Sequence, residues 1–164
     1  MNKIRFRTSF KTRFLVEAAI IAALYAVLTI AVPGGSGQIQ VRVSEALTIL
    51  AFFTPAAIPG LFVGCLTANI FVGAGPYDIF LGSFATLLAA YLTRKMPSKY
   101  LAPLPPVIIN AVAVAIILKL SFDAPILITM GFVALGELIA CYGLGYPLLL
   151  VIEKNRNRIF GRRD

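Results

Sequence analysis

Thirteen of the fifteen Lys and Arg residues fall in three places, residues 1–13, residues 94–99 and the tail after Ile152, and the chain between them consists of apolar runs of membrane length. The first cluster is Lys3, Arg5, Arg7, Lys11 and Arg13, the second Arg94, Lys95 and Lys99, and the third Lys154, Arg156, Arg158, Arg162 and Arg163, which leaves only Arg42 and Lys119. Translocating Lys or Arg beside a span is disfavoured, so basic loops stay on the cytoplasmic side. Both termini and the 94–99 loop are therefore expected inside.

A hydrophobic content of 59% against 13% charged residues, with a mean hydropathy of +0.89, excludes an ordinary soluble domain. The net charge of +8 sits beside apolar spans, where it anchors the chain to an anionic inner leaflet. Membrane lipid, not nucleic acid, is the expected partner of these bases. The length of 164 residues predicts one integral-membrane domain: a basic segment 1–13, a helical bundle 14–152 and a basic tail 153–164. The first apolar run is of full span length and lacks a small-residue cleavage site, so it reads as a retained helix.

That run, about 14–32, would cover roughly 28 Å of the ~30 Å hydrocarbon core. The glycine-rich segment 33–37 opens an outer loop to Val43, a natural lid. Residues 44–73 are too long for one span and carry Pro55 and Pro59 near their middle. Treated as one kinked span, they would put the 94–99 loop outside, against the charge rule; two short helices, crossing or re-entrant, avoid this. After an outer turn at 73–78, further helices are predicted at about 79–93, 103–120 and 126–152, the last kinked at Pro147. The expected fold is all-α, a six-transmembrane-helix bundle with both termini cytoplasmic.

Ionisable groups inside a membrane cost about 2.5–3.5 kcal/mol each, so each requires a reason. Glu45, Asn69, Asp78, Asn110 and Glu137 all map to the outer half of this bundle, which suggests a cup open to one side and not a continuous pore. Each has a plainer role as well. Ser44 and Glu45 can cap and charge a helix start, Arg42 can pair with Glu45, and Asp78 can serve a turn. Asn69 and Asn110 can bond between helices. Glu137 lies near mid-span with only Ala134 and Cys141 on its stripe, so it needs a partner from another helix, a cation, water or its own proton. Ala18, Ala22 and Ala26, with Ala19 and Ala23 beside them, give the first helix a small-residue face suited to close packing. Glu17 beside Arg13 reads as an interfacial charge.

No lysine follows a glycine, so no GxxxxGK[ST] phosphate loop exists, and without histidine there is no His-based catalytic or metal triad. Cys65 and Cys141 lie apart in apolar segments, which argues against a disulfide or a Cys/His metal site. No enzymatic role and no cofactor are expected. The absence of a 20–50-residue repeat also removes support for an inverted-repeat transporter.

The blocks QIQVRVSEAL (38–47), PGLFVGCLTAN (59–69), GPYDIFLGSFATLLAAYLTRK (75–95) and ALGELIA (134–140) together resemble the QueT family, substrate-binding S-components of energy-coupling factor (ECF) transporters. The resemblance covers nearly the whole chain. It implies a multi-pass protein of a prokaryotic plasma membrane that captures a queuosine precursor from outside. It further implies docking on a transmembrane coupling protein driven by two cytoplasmic ATPases. Ala18, Ala22 and Ala26, or the row Ala19 and Ala23, become the expected partner interface. The implied ligand is a 7-deazaguanine such as preQ1, preQ0 or queuine. Such a ring offers N1–H and an exocyclic amine to one carboxylate, an acceptor to an amide or Arg, and an aromatic face. Glu45, Asp78 and Glu137 are the available acids and Asn69, Asn110 and Arg42 the donors, with Tyr77, Phe80, Tyr25 and Phe71 available for stacking. Thiamin- or pyridoxine-like cations would suit the same groups, and a membrane assembly protein without a ligand is the alternative from another class.

Overall fold

In lipid every backbone polar group must be satisfied within the chain, and apolar runs of this length meet that demand as helices. The computed structural model describes residues 10–32 and 42–155, and helix is the only regular structure among them. Residues 33–41, where an outer loop and lid are expected, and the basic clusters before residue 10 and after residue 155 lie outside the described residues. Six helices result: α1 (Phe10–Ala31), α2 (Val43–Phe53), α3 (Ala57–Phe71), α4 (Ser83–Arg94), α5 (Leu104–Phe122) and α6 (Ile126–Lys154).

Three of them, α1, α5 and α6, are long and apolar enough to cross a membrane, while α2 and α3 are shorter. The apolar block 44–73 breaks where its first proline demands. Thr54, directly before Pro55, is extended at φ −134° and ψ 134°, as a residue preceding proline prefers. Pro59 breaks nothing: it sits in the first turn of α3, where its missing N–H would have had no partner. Ser44 is likewise not a cap. Arg42 occupies that position without a side-chain cap bond, and the Ser44 hydroxyl instead accepts from Thr29 Oγ1 on α1 at 2.8 Å. The disturbance expected at Pro147 lies one turn earlier, as a widened π-type stretch Ile139–Gly145 within α6.

Close helix contacts set the order of the bundle. A Cβ on Gly60 would meet the Ala18 carbonyl oxygen at 2.7 Å, and one on Gly64 would meet the Ala22 carbonyl at 2.8 Å, so α3 runs parallel to α1 almost backbone to backbone. Helix α2, which joins them in sequence, runs the other way alongside α1, with Ser44 bonded to Thr29 near one end and Thr54 donating to Glu17 Oε2 at 2.9 Å near the other. Where α6 crosses α2, a Cβ on Gly145 would meet Ile49 at 2.9 Å. Helix α3 ends in a Schellman turn, with Gly73 at φ 68° and the Ala74 N–H bonded to the Asn69 carbonyl at 2.9 Å, a backbone state that favours glycine.

One end of the bundle gathers charge. Arg13 pairs with Glu17 at 2.9 Å, Lys99 pairs with Glu153 at 3.0 Å, and Arg94 donates to the α2 carbonyl of Phe52 at 3.2 Å, where a cation complements the helix dipole. The flanks are apolar and outward-facing, with Ile20 55%, Ile139 53% and Leu88 50% exposed. Such a surface would be an aggregation liability in water and is the expected face toward lipid.

Candidate functional site

The polar side chains of the bundle interior converge instead of scattering. Glu45, Asn69, Asn110 and Glu137 are all buried, with Glu45 1% and Glu137 3% exposed. They come from α2, α3, α5 and α6, so the site exists only once four helices have packed.

Glu45 sits in the first turn of α2, and its Oε1 accepts a hydrogen bond from the Tyr25 phenol of α1. Its Oε2 is buried without a hydrogen-bond partner. An unsatisfied buried acceptor costs about 1–3 kcal/mol, and more when charged, so this oxygen is the most conspicuous open valence among the described residues. Across from it, Asn110 Nδ2 donates to Glu137 Oε1 at 3.2 Å, and the Cys141 thiol reaches Glu137 Oε2 at 3.6 Å. The partner that Glu137 requires thus comes from another helix. Asn110 also acts on the charge of Glu45, and the two carboxylates act on each other. The site is a linked pair of acids, Glu45 and Glu137, with an amide between them.

Cysteines complete its walls. Cys65 of α3 accepts from Thr86 Oγ1 at 3.5 Å, and the Cys141 thiol also reaches the Glu45 carbonyl at 3.7 Å. Ser83 of α4 is a further buried hydroxyl whose oxygen has no partner. Neither thiol nor Ser83 was singled out by the sequence as a site residue, because an isolated Cys or Ser in an apolar run looks like packing. The Tyr25 phenol, grouped with the stacking aromatics, turns out to be a donor to an acid.

The remaining sequence-predicted residues lie at the edge. Arg42 interacts electrostatically with Glu45 and Asp78. Asp78 opens a π-type turn, Asp78–Gly82, that leads into α4, and its backbone carbonyl accepts from Asn69 Nδ2 at 2.9 Å. Asn69 therefore ties α3 to that turn, with Cys65 as a second contact at 3.6 Å. A π-type turn leaves helix carbonyls without their usual donors and often marks a functional position; here one lies at the head of α4 and another directly follows Glu137. Tyr77, Phe80 and Phe71 point outward and do not join the cluster. On α1, Ala26 is buried and Ala18 and Ala22 pack over Gly60 and Gly64, whereas Ala19 and Ala23 are exposed.

Comparison with known proteins extends this geometry. A family model described as QueT transporter matches residues 15–154, a range that contains every residue of the cluster. A protein named queuosine precursor transporter QueT, from Lactococcus lactis subsp. cremoris (strain MG1363), is 34% identical over 145 residues, covering 77% of this chain and 85% of its own. No solved structure matches. With the match running from α1 to the end of α6, the chain belongs to the QueT transporter family.

Proposed function

We propose that this chain is the substrate-binding S-component of an ECF-type uptake transporter, capturing a queuosine precursor of the 7-deazaguanine class from outside the cell. It works as one integral-membrane unit with six crossings and both termini in the cytoplasm. The observation that carries the ligand reading is the buried carboxylate oxygen Glu45 Oε2, left without a donor beside Asn110 and Glu137. A deazaguanine supplies what that oxygen lacks, a pair of parallel N–H donors. Family membership and the name of the Lactococcus relative support a queuosine precursor as the ligand.

In this reading Glu45 and Glu137 receive the ligand's N–H groups, Asn110 orients between them, and Arg42 and Asp78 form the outer rim. Asn69 holds the Asp78 turn in place, and Tyr77 stands at the entrance. Energy comes from a coupling protein and two ATPases, which engage the exposed row Ala19 and Ala23 together with what remains accessible of Ala18, Ala22 and Ala26. Ligand-dependent thermal stabilisation in detergent tests the assignment. A ligand at a hundred times its Kd stabilises by about 2.7 kcal/mol, so a 7-deazaguanine should raise the melting temperature in a dose-dependent way while guanine and thiamin do so less or not at all. Stabilisation by thiamin alone would move the assignment to another vitamin, and no stabilisation by any of them would reject a binding role.

A further inference from the structure

Counting charge around Glu45 and Glu137 yields a constraint on what can bind there. Every helix contributes a neighbour. From α1 comes the Tyr25 phenol; from the α2 entry, Arg42; from α3, the Cys65 thiol and Asn69; from the turn before α4, Asp78; from α5, Asn110; and from α6, Cys141. Arg42 is the single cation in that set, and no other Lys, Arg or His occurs anywhere between residues 14 and 93. Lys119, the one other base between residues 100 and 153, is engaged with Asp123 at the far end of α5. Two buried acids, with Asp78 also drawing on Arg42, thus face one positive charge.

Isolated carboxylates in an apolar interior neutralise in preference to standing unpaired, and two that share a site do not both ionise without compensating cations. Hydrogen bonds satisfy three of the four carboxylate oxygens: Tyr25 on Glu45 Oε1, Asn110 on Glu137 Oε1, and the weak Cys141 donor on Glu137 Oε2. Glu45 Oε2 alone is open. We infer that the empty site holds one proton shared by Glu45 and Glu137, and that a ligand bearing an ammonium group displaces it. The proton belongs to the pair and not to either residue. Binding breaks one carboxylic O–H bond and sends that proton to outside water. One positive charge enters as the ligand's ammonium and one leaves, so the buried charge stays constant and no bond in the ligand changes. The site becomes a selector for a cationic side arm, which deepens the deazaguanine reading and rests on it.

The sign of the pH effect follows from linkage. Because binding releases a proton, raising the pH favours binding: affinity for an amine rises about tenfold per pH unit wherever the empty pair is protonated, then levels off. An alkylammonium stays charged below about pH 10, so the ligand does not mask the trend. The experiment is titration calorimetry of the wild-type protein in detergent, at one pH, in two buffers of different ionisation enthalpy. The probes are 7-aminomethyl-7-deazaguanine (preQ1) and its neutral nitrile counterpart, 7-cyano-7-deazaguanine (preQ0). The expected result is about one proton released per amine bound, with no release by the nitrile, whether it binds weakly or not at all. Amine binding without proton release, or equal release by both ligands, overturns this inference and leaves the deazaguanine assignment standing. Failure of both ligands to bind removes that assignment and the inference with it.

Discussion

Among single residues, Glu137 was legible as an anomaly and Glu45 was not. An acid at mid-helix stands out in any apolar sequence, whereas Glu45 after Ser44 matches the pattern of an ordinary helix start. That pattern misleads here, because the Ser44 hydroxyl turns to Thr29 and Glu45 turns inward to Tyr25. No local rule shows that a phenol twenty residues upstream will meet a carboxylate; only packing of α1 on α2 does. Glu137→Gln tests the site at this scale. Gln keeps a carbonyl oxygen for the Asn110 amide, so the bond seen at 3.2 Å can persist and the melting temperature of the empty protein should change little. A charge-assisted contact to the ligand is worth about 1.5–3 kcal/mol, so affinity should fall roughly ten- to a hundredfold. A lowered melting temperature with unchanged affinity would make Glu137 a structural residue and remove it from the site.

At the scale of elements, helix positions were readable and helix faces were not. Apolar length placed α1, α4, α5 and α6 within a few residues, and the prolines divided 44–73 into two helices without fixing the stop, which falls at Thr54. The π-type stretches had no such signal, since these helices are apolar on nearly every face and a one-residue shift of face leaves no mark in their pattern. The alanine rows of α1 differ by a single residue in register, and that was too little to say which faces inward. A signal was nevertheless present on the partner helix. Gly60 and Gly64 form a small-xxx-small pair of the kind that admits close backbone approach, and it is Ala18 and Ala22 that they meet. The two faces should separate under mutation. Gly64→Ala places a methyl group 2.8 Å from the Ala22 carbonyl and from Tyr25 Cβ, an overpacking worth about 1–3 kcal/mol, and should lower the melting temperature. Ala19→Leu lies on the exposed row, so it should leave stability and ligand affinity intact while reducing co-purification with the coupling protein. If Ala19→Leu destabilises the isolated subunit, the exposed row is not a docking face.

For the molecule as a whole, the described charges divide between its two ends. Arg13 pairs with Glu17 within α1, and Glu17, Arg94, Lys99 and Glu153 are brought to the same end by bonds between elements distant in sequence. Arg42, Asp78, Lys119 and Asp123 belong to the turns at the opposite end. In the proposed topology the end that carries Arg13, Arg94 and Lys99 is the cytoplasmic one, as the charge rule expects. Under that proposal the acid pair faces the outside, as capture of a solute from the medium requires. The Thr54 turn between α2 and α3 reaches the level of Glu17 and Arg94, which supports the proposed two crossings there. Orientation is testable with single cysteines placed in a background where Cys65 and Cys141, both buried, are replaced by alanine. A cysteine at Ser121, exposed beside the α5–α6 turn, should react with an impermeant thiol reagent in intact cells. One at Ser98, in the basic loop between α4 and α5, should react only after permeabilisation. Labelling at residue 98 from outside would invert the molecule and turn the acid pair toward the cytoplasm, and a role in capturing solute from the medium would fall with it.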